Sequence, residues 1–191
     1  MLTPAAPAPL YLRAAVPADL DRLAALRADA AAWIGREHGS TQWSTPLNAE
    51  NALASIERRA TVVAMLEPEG PPIATLTVRP TGSSRLWTAE ELARPAHYVS
   101  RFTVDRRHAG RGIGARLTDW ARWRAARAGA ELVRANAWSD NTALHAYYRA
   151  NGWRLVRIVE GVRSGALLEV PVRRTPAAEV HELGTAPPRL G

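Results

Sequence analysis

The 191-residue chain reads as an α/β protein of the α+β kind, with a mixed, mostly antiparallel central sheet flanked by helices. Three observations predict this. Apolar residues switch between a period near two and a period near 3.6, in the order β-α-α-β-β-β-α-β-α-β-β. Two of the strands are joined by the turn cluster Glu67-Pro68-Glu69-Gly70-Pro71-Pro72, which makes them an antiparallel hairpin. One strand–helix–strand crossover stands out, around Gly110, Gly112 and Gly114. A doubly wound nucleotide fold would instead keep alternating strand and helix.

The elements follow in order. Residues 11–15 form a short first strand. Pro17 and Asp19 open a helix, because proline suits the first turn. Leu20, Leu23, Ala24, Leu26 and Ala30 recur at helical spacing to about Ile34, with Gly35 or Gly39 near the end. Residues 39–46 are a polar loop holding Trp43. A second helix covers about residues 47–59, with Leu53 and Ile56 on one face. Residues 60–66 and 73–78 are the hairpin strands. Residues 79–95 read as an irregular insertion with Trp87, Glu90 and Glu91. Residues 97–104 are a strand. The helix after the glycines covers about residues 113–128; Ile113, Leu117, Trp120, Ala121 and Ala128 mark its buried stripe, and Gly129 ends it. Residues 131–138 are a strand, Ser139 and Asp140 are placed to cap a short helix over residues 141–151, and Gly152 stops it. Residues 153–159 and 166–172 are the last two strands. One domain is expected over residues 10–174, with residues 1–9 and the Pro/Ala/Gly-rich residues 175–191 as disordered tails.

Composition narrows the function classes. Hydrophobic residues make up 47% of the chain, which fits a globular domain. The absence of cysteine excludes disulfides, thiolate metal sites and a cysteine nucleophile, and fits a cytoplasmic protein. No run is long or apolar enough for a membrane span, and residues 1–10 lack the pattern of a signal peptide. No histidine/carboxylate cluster has metal-ligand spacing, so no metal is expected. The formal charge is +7, and every Lys/Arg position is arginine. These arginines are scattered rather than gathered on one stretch, so a nucleic-acid footprint is not expected.

Chemistry concentrates in Val104-Asp105-Arg106-Arg107-His108-Ala109-Gly110-Arg111-Gly112-Ile113-Gly114-Ala115-Arg116-Leu117. Glycine permits a tight turn and leaves no Cβ between its N–H group and a ligand. A helix start directly behind adds orphan N–H donors and the positive end of the macrodipole. Together these suit a phosphate or pyrophosphate. The stretch also satisfies the loose dinucleotide pattern. However, it comes after several strands rather than after the first, and the following strand lacks an acidic residue at its far end. A Walker loop is excluded because no Gly-Lys-Ser/Thr follows.

This loop, followed by Asp140-Asn141-Thr142-Ala143-Leu144-His145-Ala146-Tyr147-Tyr148-Arg149-Ala150-Asn151-Gly152-Trp153, resembles the GCN5-related N-acetyltransferase (GNAT) family. The resemblance implies a GNAT-like sheet and transfer of an acetyl group from acetyl coenzyme A directly to a primary amine. It places the pyrophosphate on Ala109, Gly110, Arg111, Gly112, Ile113, Gly114 and Ala115. Ala109 stands where the family usually has Gln or Arg, and Arg106, Arg107 and Arg111 remain to supply charge. Backbone N–H groups near Phe102, Thr103 and Val104 would face the thioester carbonyl, and Asn141 would lie beside the cofactor. Tyr148, in the pattern Tyr-x-x-x-Gly-aromatic, would protonate the leaving thiolate. Tyr147 is left to packing or substrate contact. Candidates for the general base are Glu37, Glu90, Glu91, His97, His38 or water. Trp43 and Trp87 are candidates to line an acceptor pocket, whereas Trp33 reads as core. The acceptor is expected to be a small-molecule amine or a protein amine, and the chain a monomer or homodimer with no membrane partner. The alternative function is a coenzyme A or nucleotide sensor of the same fold without turnover.

Overall fold

The structure of the protein is a computed structural model that describes residues 7–184. In chain order it contains β1 (Leu10–Ala14), α1 (Leu20–His38), α2 (Ala49–Glu57), β2 (Thr61–Met65), β3 (Ala74–Arg79), α3 (Ala89–Ala93), β4 (Ala96–Val104), α4 (Ile113–Arg127), β5 (Leu132–Ala137), α5 (Thr142–Ala150), β6 (Arg154–Ile158), β7 (Ala166–Pro171) and β8 (Val180–Glu182). The strands form one sheet in the order β6-β7-β5-β4-β3-β2-β1-β8. The pairs β1–β2, β2–β3, β3–β4, β5–β7 and β6–β7 are antiparallel. The β4–α4–β5 crossover makes β4 and β5 parallel, as the single strand–helix–strand unit predicted.

The helices start and stop for local reasons. Helix α1 runs on to His38 and ends at Gly39, whose φ of 61° lets its N–H reach the Gly35 carbonyl at 3.1 Å. Asn48 caps α2 by accepting from Asn51 N–H at 2.8 Å. Both faces of the inner strands are buried, so their alternation divides two cores. Val62, Ala64 and Leu76 pack with Ile113, Leu117, Trp120 and Ala121 of α4. Val63 and Met65 pack with Leu23 and Leu26 of α1 and Ile56 of α2.

Two expectations need correction. The insertion at residues 79–95 is not wholly irregular, because it contains α3. Thr88 accepts from Glu91 N–H and Glu91 accepts from Thr88 N–H, a capping box that the Thr-x-x-Glu spacing already encoded. The expected disordered tail beyond Arg174 instead returns to the sheet. Strand β8 pairs in parallel with β1, and Glu182 accepts from Trp120 Nε1 at 2.8 Å. Arg116 donates to the carbonyl of Glu179 at 2.5 Å. The open edge of β1 and the polar atoms of α4 give a Pro- and Ala-rich segment partners that its composition does not reveal. The expected tails at residues 1–6 and 185–191 lie outside the described residues. Among those described, no helix is long and apolar enough to cross a membrane.

Candidate functional site

The site begins as a fault in the sheet. Strands β4 and β5 pair only from Ala96↔Leu132 to Val99↔Ala135, whereas β5 stays paired with β7 through Ala137. Past Val99 the two parallel strands part. Between them lies a cleft of about 720 Å³, walled by residues 99–104 on one side and residues 135–138 on the other. Ladder bonds in a strand point to alternate sides, so alternate N–H groups of residues 100–104 face a gap with no partner strand. A bulge reshapes this wall. Thr75 pairs with Thr103 but Thr77 pairs with Ser100, which leaves one extra residue on β4. Arg101 takes up the difference with φ 49°, a left-handed conformation that costs a non-glycine residue energy.

The glycine loop closes one end. Asp105, buried and last before the loop, accepts from Arg107 N–H at 2.9 Å and pairs with Arg107 at 2.7 Å and Arg22 of α1 at 2.5 Å. Hydrogen bonding from Arg107, joined by Arg22, holds its carboxyl well below the usual carboxylate range despite burial. The carboxylate thereby anchors the loop to α1. Gly110 and Gly112 have φ of 77° and 69°, and a Cβ at either would meet no atom within 4 Å. The space over them is open, and Gly112 precedes the first turn of α4 without any side-chain cap. Open glycine backbone and uncapped helical N–H donors, with no carboxylate among the described residues of the cleft wall, fit a pyrophosphate. Gly114 differs. A Cβ there would lie 2.8 Å from the Tyr147 hydroxyl, so this glycine lets α5 approach α4.

Helix α5 supplies the facing wall. Asn141 serves two partners at once: its Oδ1 accepts from Leu144 N–H at 2.9 Å, and its Nδ2 donates to Gln42 Oε1 at 2.7 Å. It therefore caps the helix and also ties down the loop between α1 and α2. The Tyr148 ring packs edge-on against Trp153 at 5.1 Å, and the residue lines the cleft. Burial, with the neighbouring Tyr147, pushes its phenol up to about 12, which keeps it protonated at neutral pH. The described hydrogen bonds give its hydroxyl no protein partner.

Of the residues expected at the site, Phe102, Thr103, Val104, Ala109, Gly110, Gly112, Ile113, Gly114, Ala115, Asn141 and Tyr148 line the one cleft, and Arg111 does not. Arg106 lines it with its guanidinium over Trp33, 3.6 Å from the ring centroid, while Arg107 is engaged by Asp105. Trp33 is thus a partly exposed wall residue rather than core. Trp87 is core: it is buried with Tyr98, Leu132 and Leu167, away from the cleft. None of Glu37, Glu90, Glu91 and His97 lines the cleft. Glu91 pairs with Arg157, which lowers its carboxyl to about 2. His97 is buried in β4, and burial lowers its pKa. His38 does line the cleft. Among the described residues no group of three or more His, Asp and Glu is placed to hold a metal ion. Sequence reasoning missed Gln42, Arg27 and Arg101, whose place depends on contacts distant in the chain.

Comparison with known proteins agrees with this architecture. The family model described as "Acetyltransferase (GNAT) family" matches residues 26–153. Over 149 residues the chain is 29% identical to the uncharacterized N-acetyltransferase YesJ of Bacillus subtilis, covering 76% of this chain and 82% of that protein. A GNAT-family acetyltransferase from Listeria monocytogenes superposes with a TM-score of 0.69 at 24% identity, over 85% of this chain and 95% of that one. The PaiA N-acetyltransferase of Thermoplasma acidophilum, solved with coenzyme A, gives a TM-score of 0.64 at 15% identity, over 85% and 98%.

Proposed function

Because this chain belongs to the acetyltransferase (GNAT) family, we propose that its cleft moves the acetyl group of acetyl coenzyme A directly to a primary amine. Acetyl coenzyme A supplies the acetyl group as a thioester. Gly110, Gly112 and the first turn of α4 hold the pyrophosphate through backbone N–H groups, with Arg106 adding charge. The unpaired N–H groups of residues 100–104 hydrogen-bond the carbonyl oxygen as negative charge develops there. Tyr148 keeps its proton near the sulfur and gives it to the departing thiolate. No carboxylate of the described residues lines the cleft, so water or His38 takes the proton that the amine loses. Holding both reactants in one gap contributes by proximity.

The observation that carries this reading is the parting of β4 and β5. It sets a wall of free N–H groups and an unpartnered phenol around one cleft, with the glycine loop at its end. The test is release of free thiol from acetyl coenzyme A with a panel of primary amines. The chain has no cysteine, so a thiol reagent reads only the coenzyme. Amine-dependent release with an acetylated product is expected. Binding of coenzyme A with no release for any amine would overturn the reading in favour of a sensor.

A further inference from the structure

We propose that the acceptor is a small primary amine carrying an oxyanion close to the nitrogen, as an α-amino acid does, and that Arg27 and Arg101 hold that oxyanion. The proposal rests on the acetyl-transfer reading for the position of the amine. The two arginines come from different elements, α1 and the bulge of β4, yet line the same cleft. Both also line a side pocket of about 20 Å³, floored by threonines of β2 and β3, which no residue of the glycine loop reaches. They therefore stand apart from the phosphate end. Arg101 sits immediately before Phe102, in the stretch of β4 whose N–H groups face the acetyl carbonyl in the proposed reaction.

Their partners differ from those of many arginines in the fold. Arg13, Arg22, Arg107, Arg134 and Arg157 each meet a carboxylate. Arg27 instead donates to the Thr45 carbonyl at 3.2 Å, with Trp43 alongside. Arg101 donates to Ser55 Oγ at 2.7 Å. Neither has a carboxylate partner among the described residues, and no Asp or Glu lines the cleft or the side pocket. A partly buried guanidinium without a counterion is disfavoured, and a pair of them more so. Burial, then the Arg79 charge and the Arg27 charge, push Arg101 down from its ordinary pKa, in keeping with this. A carboxylate or phosphonate entering between them would accept charge-assisted hydrogen bonds from planar, fork-shaped donors. The same charges repel an acceptor with extra ammonium groups, so the site discriminates against polyamines.

The test uses the full chain and matched sets of amines: L-amino acids, their carboxamides, the decarboxylated amines, and 1-aminoalkylphosphonates. Two readouts are taken, the melting temperature with saturating coenzyme A and kcat/KM from thiol release. At least one amino acid should raise Tm and exceed its carboxamide in kcat/KM by about tenfold or more, the scale of a lost charged hydrogen bond. Arg27→Gln and Arg101→Gln should each bring that ratio toward one, and Arg101→Lys should keep part of it. The phosphonate arm shows whether the subsite reads a carboxylate or any tetrahedral oxyanion. A ratio near one in the native chain, or unchanged in both glutamine variants, overturns the proposal while amine-dependent release preserves the transfer reading. If no amine releases thiol but amino acids still raise Tm through these arginines, the subsite stands and the transfer reading falls. Absence of both responses for every oxyanion-bearing amine also overturns it.

Discussion

Asn141 joins helix capping to the shape of the cleft, and its contribution can be worked out from its contacts. Asn141→Ala deletes the Oδ1 cap on Leu144 N–H and the Nδ2 donor to Gln42. Loss of an N-cap costs about 0.5–2 kcal/mol. Gln42 is 3% exposed, so its amide loses a partner in a place poor in water. Such an orphaned group costs about 1–3 kcal/mol. The total centres near 3 kcal/mol, which for a chain of this size lowers Tm by roughly 6–12 °C. Asn141→Ser restores the cap alone, because a serine side chain is too short to reach Gln42, and should recover about 1 kcal/mol. The pairwise bond is isolated by the cycle of Asn141→Ala, Gln42→Ala and the double variant, in which the cap contribution cancels. The assay is urea denaturation of all four proteins, with KM for acceptor measured beside it. A coupling of about 1 kcal/mol is expected, together with a raised acceptor KM in Gln42→Ala, since Gln42 lines the cleft. A coupling within about 0.5 kcal/mol of zero would refute the latch, because distant independent sites are additive to that degree.

Three further outcomes are expected. Tyr148→Phe keeps the ring against Trp153 and removes the proposed proton donor, so kcat should fall by about 10²-fold or less while coenzyme A affinity, measured by calorimetry, changes little. With the phenol pushed up to about 12, the native rate should climb as the amine deprotonates and show no fall from Tyr148 ionisation below about pH 11; full turnover in the phenylalanine variant with chemistry rate-limiting would remove Tyr148 from the reaction. Gly112→Val puts a branched side chain at φ 69°, over the open space where we propose the pyrophosphate binds, and should cost about 1–2 kcal/mol of stability and at least about tenfold in coenzyme A affinity; unchanged affinity in the folded variant would place the phosphates elsewhere. Asp105→Asn releases Arg107 and Arg22 and should lower Tm by roughly 5 °C with weaker coenzyme A binding. Because the folded pKa of Asp105 is depressed, its stabilisation is complete above the unfolded value of about 3.9 and is lost as pH falls below it; an acid-unfolding curve identical to that of the native chain would count against the anchor.

What could be read along the chain was whatever near neighbours decide. Periodicity placed the strands and helices, Ser139 and Asp140 marked the start of α5 to within two residues of its actual cap at Asn141, and three alternate glycines before a helical pattern announced the loop. These features are set by backbone sterics and by side chains within a few residues, so one sequence carries them. Helix α3 went unread because composition suggested an irregular loop, although the Thr88 and Glu91 capping box encodes it locally.

The remainder was settled only when distant segments met. The cleft exists because β4 leaves β5 after Val99, a register event between strands more than thirty residues apart in sequence. Gln42 reaches Asn141 across 99 positions, a pairing without local signature. Arg101 reads like any arginine in a strand until the fold sets it in one pocket wall with Arg27, and Trp33 reads like core until Arg106 is laid over it. Strand β8 forms because the edge of β1 offers unpaired backbone groups, although its own composition argues for disorder. Local chemistry determines which segments are helix, strand or glycine loop. Which charges end without counterions, and which walls face one another, follows from burying both faces of a single sheet. That is a property of the whole chain, and no stretch of it carries the answer alone.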